Sequence, residues 1–532
     1  MPIERVIVKN YRSLKHTDII FKDDINVIVG NNETGKSTLL EAINLALKCQ
    51  LNRRPAQYEL HPYLLNVDAV REFVASRKAG KWLQPPEARI EVFLKDDGKP
   101  ETAKLKGTIN SLKSDSIGIS LSILLNSTVF GEEYKAYIDD KDSLTDVPIE
   151  YYHVEWRSFA GDELYSSKIP LKSVLVDTSN MPNLYAANKY VLEIIKDYLP
   201  KAQSVDLALA YRLMRDKFQR DDRIKAINAE LGSKTGTVSE KTLSVALDTT
   251  TRASWETGVL PHLDDIPLPL SGKGEQNAIK IKLAIEAAEK CELILIEEPE
   301  NHLSHTNLGR LVNHLSDRCK DKQLIITTHS SFVLNKMGID HVLMFNGSTG
   351  ITLHNLPKTT QSYFKRLPGH DTLRMLLARR TILVEGPSDE LIVQKAYQQK
   401  YGKLPLEDGV EVISCGTSFK RFLDIAKELK LVVAVVRDND GNAAAKNALF
   451  DSYRGVASIS IHIDGDDAAR TLEPQLVKSM KRSKINEILG VTYTNDDDLI
   501  AYMTANKTDM ALSISEWTEA VDLPGYIDDA IG

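Results

Sequence analysis

The sequence has few cysteines, no long apolar run and no excess of positive charge. Its 4 cysteines are too far apart to form a CxxC pair, so we predict neither a zinc site nor a disulfide framework: Cys49, Cys291, Cys319 and Cys415. No stretch approaches the roughly 18 apolar residues of a membrane span, which excludes a membrane protein. The N-terminus lacks the basic segment and apolar run of a secretory signal, so we expect a cytoplasmic protein without a membrane partner.

The charge balance is slightly acidic, with 67 Lys and Arg against 74 Asp and Glu and a formal net charge of −7. This balance excludes a chain that is basic throughout, as a nucleic-acid coat would be, and leaves room for a local basic groove. The 532 residues, 42% of them hydrophobic, are enough for several domains, each with its own core.

Residue periodicity predicts strands and helices in alternation, interrupted once. The first half begins with a strand at Ile25–Val29, a glycine-rich turn and an amphipathic helix at Lys36–Lys48. A half-exposed antiparallel sheet is expected over residues 88–175 and helices over residues 183–232. The interruption is therefore interpreted as a helical insertion.

A second α/β series follows, and its strand-like runs are separated by helix-length segments. This pattern favours a small, mainly parallel sheet. The predicted strands are Thr381–Val384, Val410–Ser414, Leu431–Arg437 and Ala457–Ile463. The mildly acidic tail from residue 516 to 529 is expected to be a solvated face.

Residues 30–37 match the pattern GxxxxGK[ST] and lie between a predicted strand and a predicted helix. In such a loop the backbone N–H groups face a phosphate, Lys36 adds positive charge and Ser37 can bind Mg²⁺. The predicted nucleotide-binding residues are Asn31, Asn32, Glu33, Thr34, Gly35, Lys36, Ser37 and Thr38. A plain glycine-rich turn is the alternative.

The other parts of a nucleotide-hydrolysing site follow in workable order. A buried strand ends in Glu297, which could hold Mg²⁺, and Glu298, which could polarise the attacking water. The next strand leads to His329, placed either to sense the γ-phosphate or as an ordinary structural histidine. Ser271 begins a turn that could contact a phosphate held by a second subunit, or that could simply cap the following helix.

Acidic residues also follow the strands of the second series. Glu385 ends the first strand, Asp389 lies in the next helix, Asp438 and Asp440 follow the third strand, and Glu473 follows the fourth. Oxygen ligands of this kind suit Mg²⁺ or Mn²⁺, and clustered carboxylates repel one another without a counter-ion. The ordered set favours a divalent metal site, with solvated loop acids as the alternative.

The first group of motifs resembles the ABC-type ATPases of the SMC and DNA-repair group: the Asn10–Leu14 opening, the phosphate loop, the Leu270–Gln276 turn, Glu-Glu-Pro-Glu and Thr-Thr-His. This resemblance implies two ATPase heads with ATP between them. It implies Ser271 as the contact to the second subunit, Glu298 as catalytic base and His329 as switch. The chain departs from the pattern at Lys273, usually glycine, and at Glu297, usually aspartate.

Glu-Gly at one strand end and Asp-x-Asp two strands later resemble the Toprim domain. The order of the segments, an ABC-type ATPase with a helical insertion followed by a Toprim domain, resembles the OLD (overcoming lysogenization defect) family of nucleases. This family includes the nuclease subunit of Gabija anti-phage systems. The resemblance implies an α/β fold, an ABC/SMC-type ATPase head with a helical insertion followed by a small, mainly parallel Toprim sheet. It also implies that Lys507 assists catalysis. The expected segments are 1–180 and 261–357 (ATPase lobes), 181–260 (insertion, dimerisation), 358–380 (linker), 381–512 (Toprim) and 513–532 (tail).

The resemblance implies an ATP-binding, metal-dependent DNA endonuclease or nickase in anti-phage defence. The expected partners are DNA, a second copy or a higher homo-oligomer, and a helicase or a retron reverse transcriptase. A DNA-clamping repair ATPase and a nucleotide-controlled DNA-binding module are the alternatives. Tyr363, Phe364 and Phe419 are candidates for base stacking. Basic residues around the metal site are candidate phosphate partners or a solvated face: Lys365, Arg366, Arg374, Arg379, Arg380, Lys420, Arg421, Lys478, Lys481, Arg482 and Lys484.

Overall fold

The computed structural model describes most of the chain. The described residues are 2–51, 54–139, 144–165, 169–177, 192, 195, 199–233, 241–247, 259–287, 291–318, 320–353, 356–367 and 371–532. Much of the predicted insertion, including its helical pattern around Tyr190, lies outside these residues, and so does Cys319.

The first unit contains two sheets and the helices that pack on them. Its strands are β1 (Ile3–Tyr11), β2 (Leu14–Ile20), β3 (Ile25–Val29), β4 (Gln50–Leu51), β5 (Arg54–Pro55), β6 (Ala88–Leu94), β7 (Lys106–Gly107), β8 (Ser116–Leu125), β9 (Tyr152–Ser158), β10 (Ser173–Asp177), β11 (His262–Leu263), β12 (Ile266–Pro267), β13 (Leu293–Glu297), β14 (Gln323–Thr327), β15 (Val342–Phe345) and β16 (Gly350–Thr352). Its helices are α1 (Lys36–Lys48), α2 (Val67–Lys78), α3 (Pro100–Ala103), α4 (Ser127–Asp139), α5 (Lys201–Arg220), α6 (Asp222–Ser233), α7 (Lys273–Ala287), α8 (His305–Arg318) and α9 (Ser331–Met337).

One sheet is antiparallel, in the order β2-β1-β6-β8-β7, with β9 paired to β8. The other has the order β10-β13-β14-β3-β15-β16 and is parallel except for the last pair. Helix α1 contacts strands of both sheets, because its buried leucine and isoleucine face supplies the core between them. The phosphate loop is thereby fixed at the carboxyl end of β3, next to the ends of β13 and β14.

The prediction of a half-exposed sheet is wrong for β6, in which only Arg89 is not buried. Phe93, on the face opposite the main core, packs against Ile7 and Phe159. The rings of Phe93 and Phe159 lie edge to face with their centroids 4.7 Å apart. A small second core therefore covers the face that was expected to be solvated.

The second unit is the predicted small sheet, surrounded by helices. Its strands are β17 (Arg380–Val384), β18 (Val410–Ser414), β19 (Val433–Arg437) and β20 (Ile459–Ile463). They are all parallel, in the order β18-β17-β19-β20. The helices before and around this sheet are α10 (Lys358–Arg366), α11 (Thr372–Leu377), α12 (Pro387–Tyr401), α13 (Phe419–Leu429), α14 (Ala443–Ala448), α15 (Leu472–Met480), α16 (Arg482–Leu489), α17 (Asp496–Ala505), α18 (Lys507–Glu516) and α19 (Gly525–Ile531).

The expectation of a solvated C-terminal tail is wrong. Helix α19 buries Tyr526, Ile527 and Ile531 against the parallel sheet of the second unit and α12, and its acidic residues lie on the other face. The Arg380 guanidinium donates to the carbonyl of Ile531 at 3.2 Å. The acidic composition of the tail concealed an apolar face with helical spacing.

Helices α5 and α6 lie in the described part of the predicted insertion, and their side chains are mostly exposed. Their role in dimerisation stays a prediction. Within the described ranges, no helix has both the length and the apolar character needed to cross a membrane.

Candidate functional site

Two glycines allow the phosphate loop to fold. A Cβ atom on Gly30 would lie 2.3 Å from the carbonyl oxygen of Phe345, so the loop touches β15 directly. Gly35 has a φ of 91°, and a Cβ atom there would lie 2.7 Å from Cδ2 of Leu14. Both positions exclude side chains, which explains the spacing of the motif.

Lys36 is buried beneath this loop, where its Nζ donates to the carbonyl oxygens of Gly30 at 2.9 Å and Asn31 at 3.0 Å. Burial lowers the pKa of Lys36, while the negative charges of Glu298 and Glu300 oppose that shift. The structure therefore brings the predicted lysine and one of the two predicted acids to the same site.

The rest of the loop is open to a ligand. Its exposed residues are Asn31, Asn32, Glu33 and Ser37. The Thr34 hydroxyl donates to the Asn31 carbonyl at 2.9 Å, and the Ser13 hydroxyl donates to that of Thr38 at 3.2 Å. The Ser13–Thr38 bond links the N-terminal opening motif to the loop.

Glu298 and His329 meet at the ends of β13 and β14. The His329 Nε2 atom lies 3.2 Å from Oε1 of Glu298, whose Oε2 accepts from Asn301 at 3.0 Å. Burial, reinforced by Lys36, lowers the pKa of His329 and so favours its neutral form. Glu297 occupies the last position of β13, in register with Thr327. This geometry suits the predicted base and switch.

The sequence argument missed Glu300, a further acid of this site. Its Oε1 accepts from the backbone N–H of His329 at 2.6 Å and from the Thr328 hydroxyl at 2.9 Å. Its Oε2 is buried without a hydrogen-bond partner, and burial raises the pKa of this carboxyl group. Its place two residues after Glu298 in Glu-Glu-Pro-Glu was the available signal.

Ser271 lies just before α7, and its hydroxyl donates to the Leu268 carbonyl at 2.7 Å. The Gln276 side chain closes the same turn by donating to the Ser271 carbonyl at 2.9 Å. The turn is ordered within its own chain, and its contact to a second subunit stays a prediction.

Four predicted acids converge at the carboxyl edge of the parallel sheet β18-β17-β19-β20. Burial raises the pKa of Asp438 to about 8, and the nearby charges of Asp389, Glu385 and Glu473 contribute to this shift. Burial also raises the pKa of Asp389 to about 6, with contributions from Glu385 and Glu473. We call these four residues the carboxylate cluster: Glu385, Asp389, Asp438 and Glu473.

The unsatisfied atoms of the carboxylate cluster fit a cation. Oε2 of Glu385 and Oδ1 of Asp438 are buried without hydrogen-bond partners, and Glu473 is only 1% exposed. Buried anionic oxygens without donors are costly unless a positive charge compensates them. Among the described residues no three acid, histidine or cysteine side chains already form a metal-ligand shell, so side chains must rotate to bind a metal.

Asp440 does not join the carboxylate cluster, contrary to the prediction. Its Oδ2 pairs with Lys446 Nζ, and its side chain is 44% exposed. The intervening Asn439 is buried and donates to the carbonyl of Asp466 at 2.8 Å, and Asp440 adopts a φ of 50°. The chain therefore turns at Asn439 and directs the second acid outwards.

Lys507, at the start of α18, reaches the carboxylate cluster. Its Nζ lies 3.1 Å from Oε1 of Glu473, whose Oε2 accepts from the Thr471 hydroxyl at 2.6 Å. The charges of Glu473, Asp438 and Asp389 raise the pKa of Lys507 against the opposing effect of its burial. The lysine therefore lies beside the carboxylate cluster, and its role in catalysis stays a prediction.

Two of the three predicted stacking residues are in the core. Phe364 is 0% exposed and Phe419 is 1% exposed, so neither ring can stack on a base at the surface. Helices α10 and α13 pack against each other, and the Phe364 ring meets the Phe422 ring of α13 edge to face. Tyr363 is half-buried, and its hydroxyl donates to that of Ser418 at 2.8 Å.

Solved structures similar to this chain at low identity include an SMC head domain and a RecF structure. The structure of the recombination mediator protein RecF with ATP covers 66% of this chain and 99% of its own, at 11% identity and a TM-score of 0.35. The SMC head domain from Thermotoga maritima covers 67% of this chain and 100% of its own, at 15% identity and a TM-score of 0.30.

Sequence relatives include Endonuclease GajA of Bacillus cereus (strain VD045), 21% identical over 464 residues, which make up 83% of this chain and 75% of that protein. The DNA double-strand break repair Rad50 ATPase of Methanopyrus kandleri is 58% identical over 45 residues, 8% of this chain and 5% of that protein.

Two family models match along the chain. The AAA ATPase domain matches residues 1–123 and 160–334, more than half of the sequence. The TOPRIM domain of overcoming lysogenization defect protein-like sequences matches residues 376–440. These two domains imply the use of a nucleotide and of a divalent metal. The chain belongs to the AAA ATPase domain family and carries a Toprim domain of the OLD type, as its motifs predicted.

Proposed function

We propose that this protein is an ATP-hydrolysing, Mg²⁺-dependent DNA endonuclease or nickase. The carboxylate cluster carries the proposal, because Glu385 and Asp438 hold buried oxygens without hydrogen-bond partners at a sheet edge, close to two further acids, an arrangement that a divalent cation would stabilise. The similarity to a protein named Endonuclease GajA over most of the chain supports it.

At the ATPase site, the phosphate loop and Lys36 bind the nucleotide phosphates, with Ser37 and Glu297 as Mg²⁺ ligands. Glu298 accepts a proton from the attacking water, and Asn301 holds its carboxylate in place. His329, within 3.2 Å of Glu298, contacts the terminal phosphate and registers its loss. Ser271 reaches the phosphates bound by a second copy.

At the Toprim site, the carboxylate cluster holds Mg²⁺, or Mn²⁺ in its place. A divalent cation held by these carboxylates would supply activation of water and charge stabilisation for the leaving oxygen. Lys507, bonded to Glu473, places a positive charge where negative charge grows on the phosphate in the transition state. Its ion pair with a buried acid keeps the lysine directed into the site.

The same proposal covers the substrate, the oligomeric state, the biological role and the partner protein. DNA is the substrate, and the active form is a homodimer or higher oligomer joined through the ATPase heads and the insertion. Anti-phage defence is the expected role, with a helicase or a retron reverse transcriptase as partner.

Nicking of supercoiled plasmid tests the function. Glu385→Gln and Asp438→Asn should abolish Mg²⁺-dependent nicking and leave ATP hydrolysis intact, while Asp497→Asn, which changes an exposed acid of the same domain, should cut like the wild type. Wild-type protein that cuts with neither Mg²⁺ nor Mn²⁺ would instead favour a DNA-clamping ATPase.

A further inference from the structure

A cavity of about 630 Å³ opens beside the carboxylate cluster. It lies between the N-terminal end of α10, the first turn of α13 and residues 449–453. Its volume falls within the roughly 300–1,000 Å³ of small-ligand sites. Nothing in the ATPase or metal chemistry described above uses this space.

Arg437 joins the cavity to the metal site. It lines the cavity although it is only 8% exposed, and its Nε atom is buried without a hydrogen-bond partner. The guanidinium lies over the Phe419 ring, 5.5 Å from its centroid, and its Nε is 3.7 Å from Oε2 of Glu385, too far for a hydrogen bond. Glu385 supplies a nearby counter-charge, but the buried Nε–H has no hydrogen-bond acceptor, and a guanidinium with an unused donor can bind an anionic ligand.

The other charges of the cavity agree with such a ligand. Lys420 is exposed at its wall, and Arg421 donates to the hydroxyls of Thr359 at 2.7 Å and Thr360 at 3.0 Å rather than to a carboxylate. Asp424, the acid of this wall, accepts from the hydroxyls of Thr360 and Tyr453. Hydroxyl donors therefore hold the acid, and the basic groups retain capacity for phosphate.

The backbone contributes donors to the same space. Helix α13 begins at Phe419, and its N-cap residue Ser418 makes no side-chain capping bond; the Ser418 hydroxyl accepts from Tyr363. Of the first-turn N–H groups, that of Arg421 already donates to the Ser418 carbonyl at 2.9 Å, and none is capped by the Ser418 side chain. Phe450 and Tyr453 line the cavity with little exposed area, 1% and 6%, so they form an apolar wall and not a surface for base stacking.

We propose that this cavity receives one nucleotide of a DNA strand, next to the phosphate that is cut at the carboxylate cluster. The proposal rests on the nuclease function, because Arg437 lies between the cavity and Glu385 and a phosphate bound there adjoins the metal site. The cavity positions the strand: Arg437 and the start of α13 hold a phosphate, and Lys420 and Arg421 hold its neighbour.

Binding of a short fluorescein-labelled single-stranded DNA to the full-length protein, measured by anisotropy in EDTA, tests this without cleavage. Changing Lys420→Ala together with Arg421→Ala should weaken binding on the order of tenfold and reduce the slope of log affinity against log salt by about one to two. Leu449→Trp fills the cavity mouth without changing charge, and should weaken binding with an unchanged salt slope.

Lys430→Asn is the matched control. Lys430 carries the same charge at the other end of α13, and asparagine tolerates its φ of 54°. The control should bind DNA like the wild type. Equal loss in the control, or no loss in the double variant and Leu449→Trp, overturns the proposal.

Binding of deoxyadenosine monophosphate, measured with the same protein in EDTA, shows whether the cavity takes a free nucleotide or a nucleotide of a DNA strand. If Leu449→Trp abolishes its binding while DNA affinity is unchanged, the cavity is a free-nucleotide site and the proposal is overturned. Plasmid nicking by the wild type is scored in parallel. DNA binding through the cavity without any cutting contradicts the nuclease function alone, whereas cutting with full DNA affinity in the cavity variants contradicts the cavity proposal alone.

Discussion

Removing the charge of Asp438 should stabilise the metal-free protein while destroying its proposed activity. The pKa of Asp438 is raised from 3.8 to about 8, so the folded state binds this proton more tightly than the unfolded state. Its contribution to stability is therefore neutral below pH 4 and increasingly unfavourable as the pH rises towards 8. Asparagine keeps the shape and an oxygen acceptor without the charge.

The size of the effect follows from the shift. Each pH unit between 3.8 and the working pH lowers the free energy of unfolding by about 1.4 kcal/mol. Asp438 therefore destabilises the folded state by about 2 kcal/mol at pH 5 and about 4 kcal/mol at pH 7. Asp438→Asn should gain these amounts in the free energy of unfolding, obtained from urea titrations of the full-length protein in EDTA. Mg²⁺ should stabilise the wild type more than the variant, because the cation relieves the same repulsion.

Asp440→Asn is the control, since it removes an acid two residues away that is exposed and paired with Lys446. It should change stability by no more than about 1 kcal/mol, with no trend between pH 5 and pH 7. An Asp438→Asn variant that is no more stable than the wild type at pH 7 would refute the reasoning. The buried acids would then be satisfied without a cation.

Three further outcomes are expected. Lys36→Ala should abolish ATP hydrolysis, measured as phosphate release, because it removes the buried cation of the phosphate loop; retained turnover would contradict that assignment. Thr372→Val removes the 2.8 Å hydrogen bond to Asn335 that joins α11 and α9, and should lower the free energy of unfolding in urea titrations by about 1–3 kcal/mol. An unchanged free energy of unfolding would contradict this expectation. Ile531→Ala should cost about 2–5 kcal/mol, whereas a solvated tail would show no loss.

The sequence predicted those parts of the fold that local patterns control. Strand β18 and helix α1 have the predicted bounds because apolar runs and glycine-rich turns delimit them. The buried outer face of β6 and the docking of α19 were not predicted, because both depend on residues distant in sequence: Phe159 covers one, and the Toprim sheet covers the other.

The site residues likewise include some that the sequence predicted and some that it did not. Motif spacing was enough for the phosphate loop, and the order of acids along the strands was enough for Glu385 and Asp438. The sequence argument placed Asp440 in the carboxylate cluster. Asp440 itself adopts a left-handed backbone conformation, which directs its side chain away from the cluster. Arg437, the last residue of a buried strand, carried no motif, and only the fold shows its guanidinium beside Glu385.

The most direct measurement of the central claim is the location of bound Mn²⁺ by anomalous scattering from crystals of the full-length protein. Metal should bind between Glu385, Asp438 and Glu473, whose carboxylates rotate to share it, and Asp438→Asn should remove the peak. Manganese found only at exposed acids such as Asp440, with the three buried carboxylates unchanged, would contradict a metal-dependent nuclease at this site.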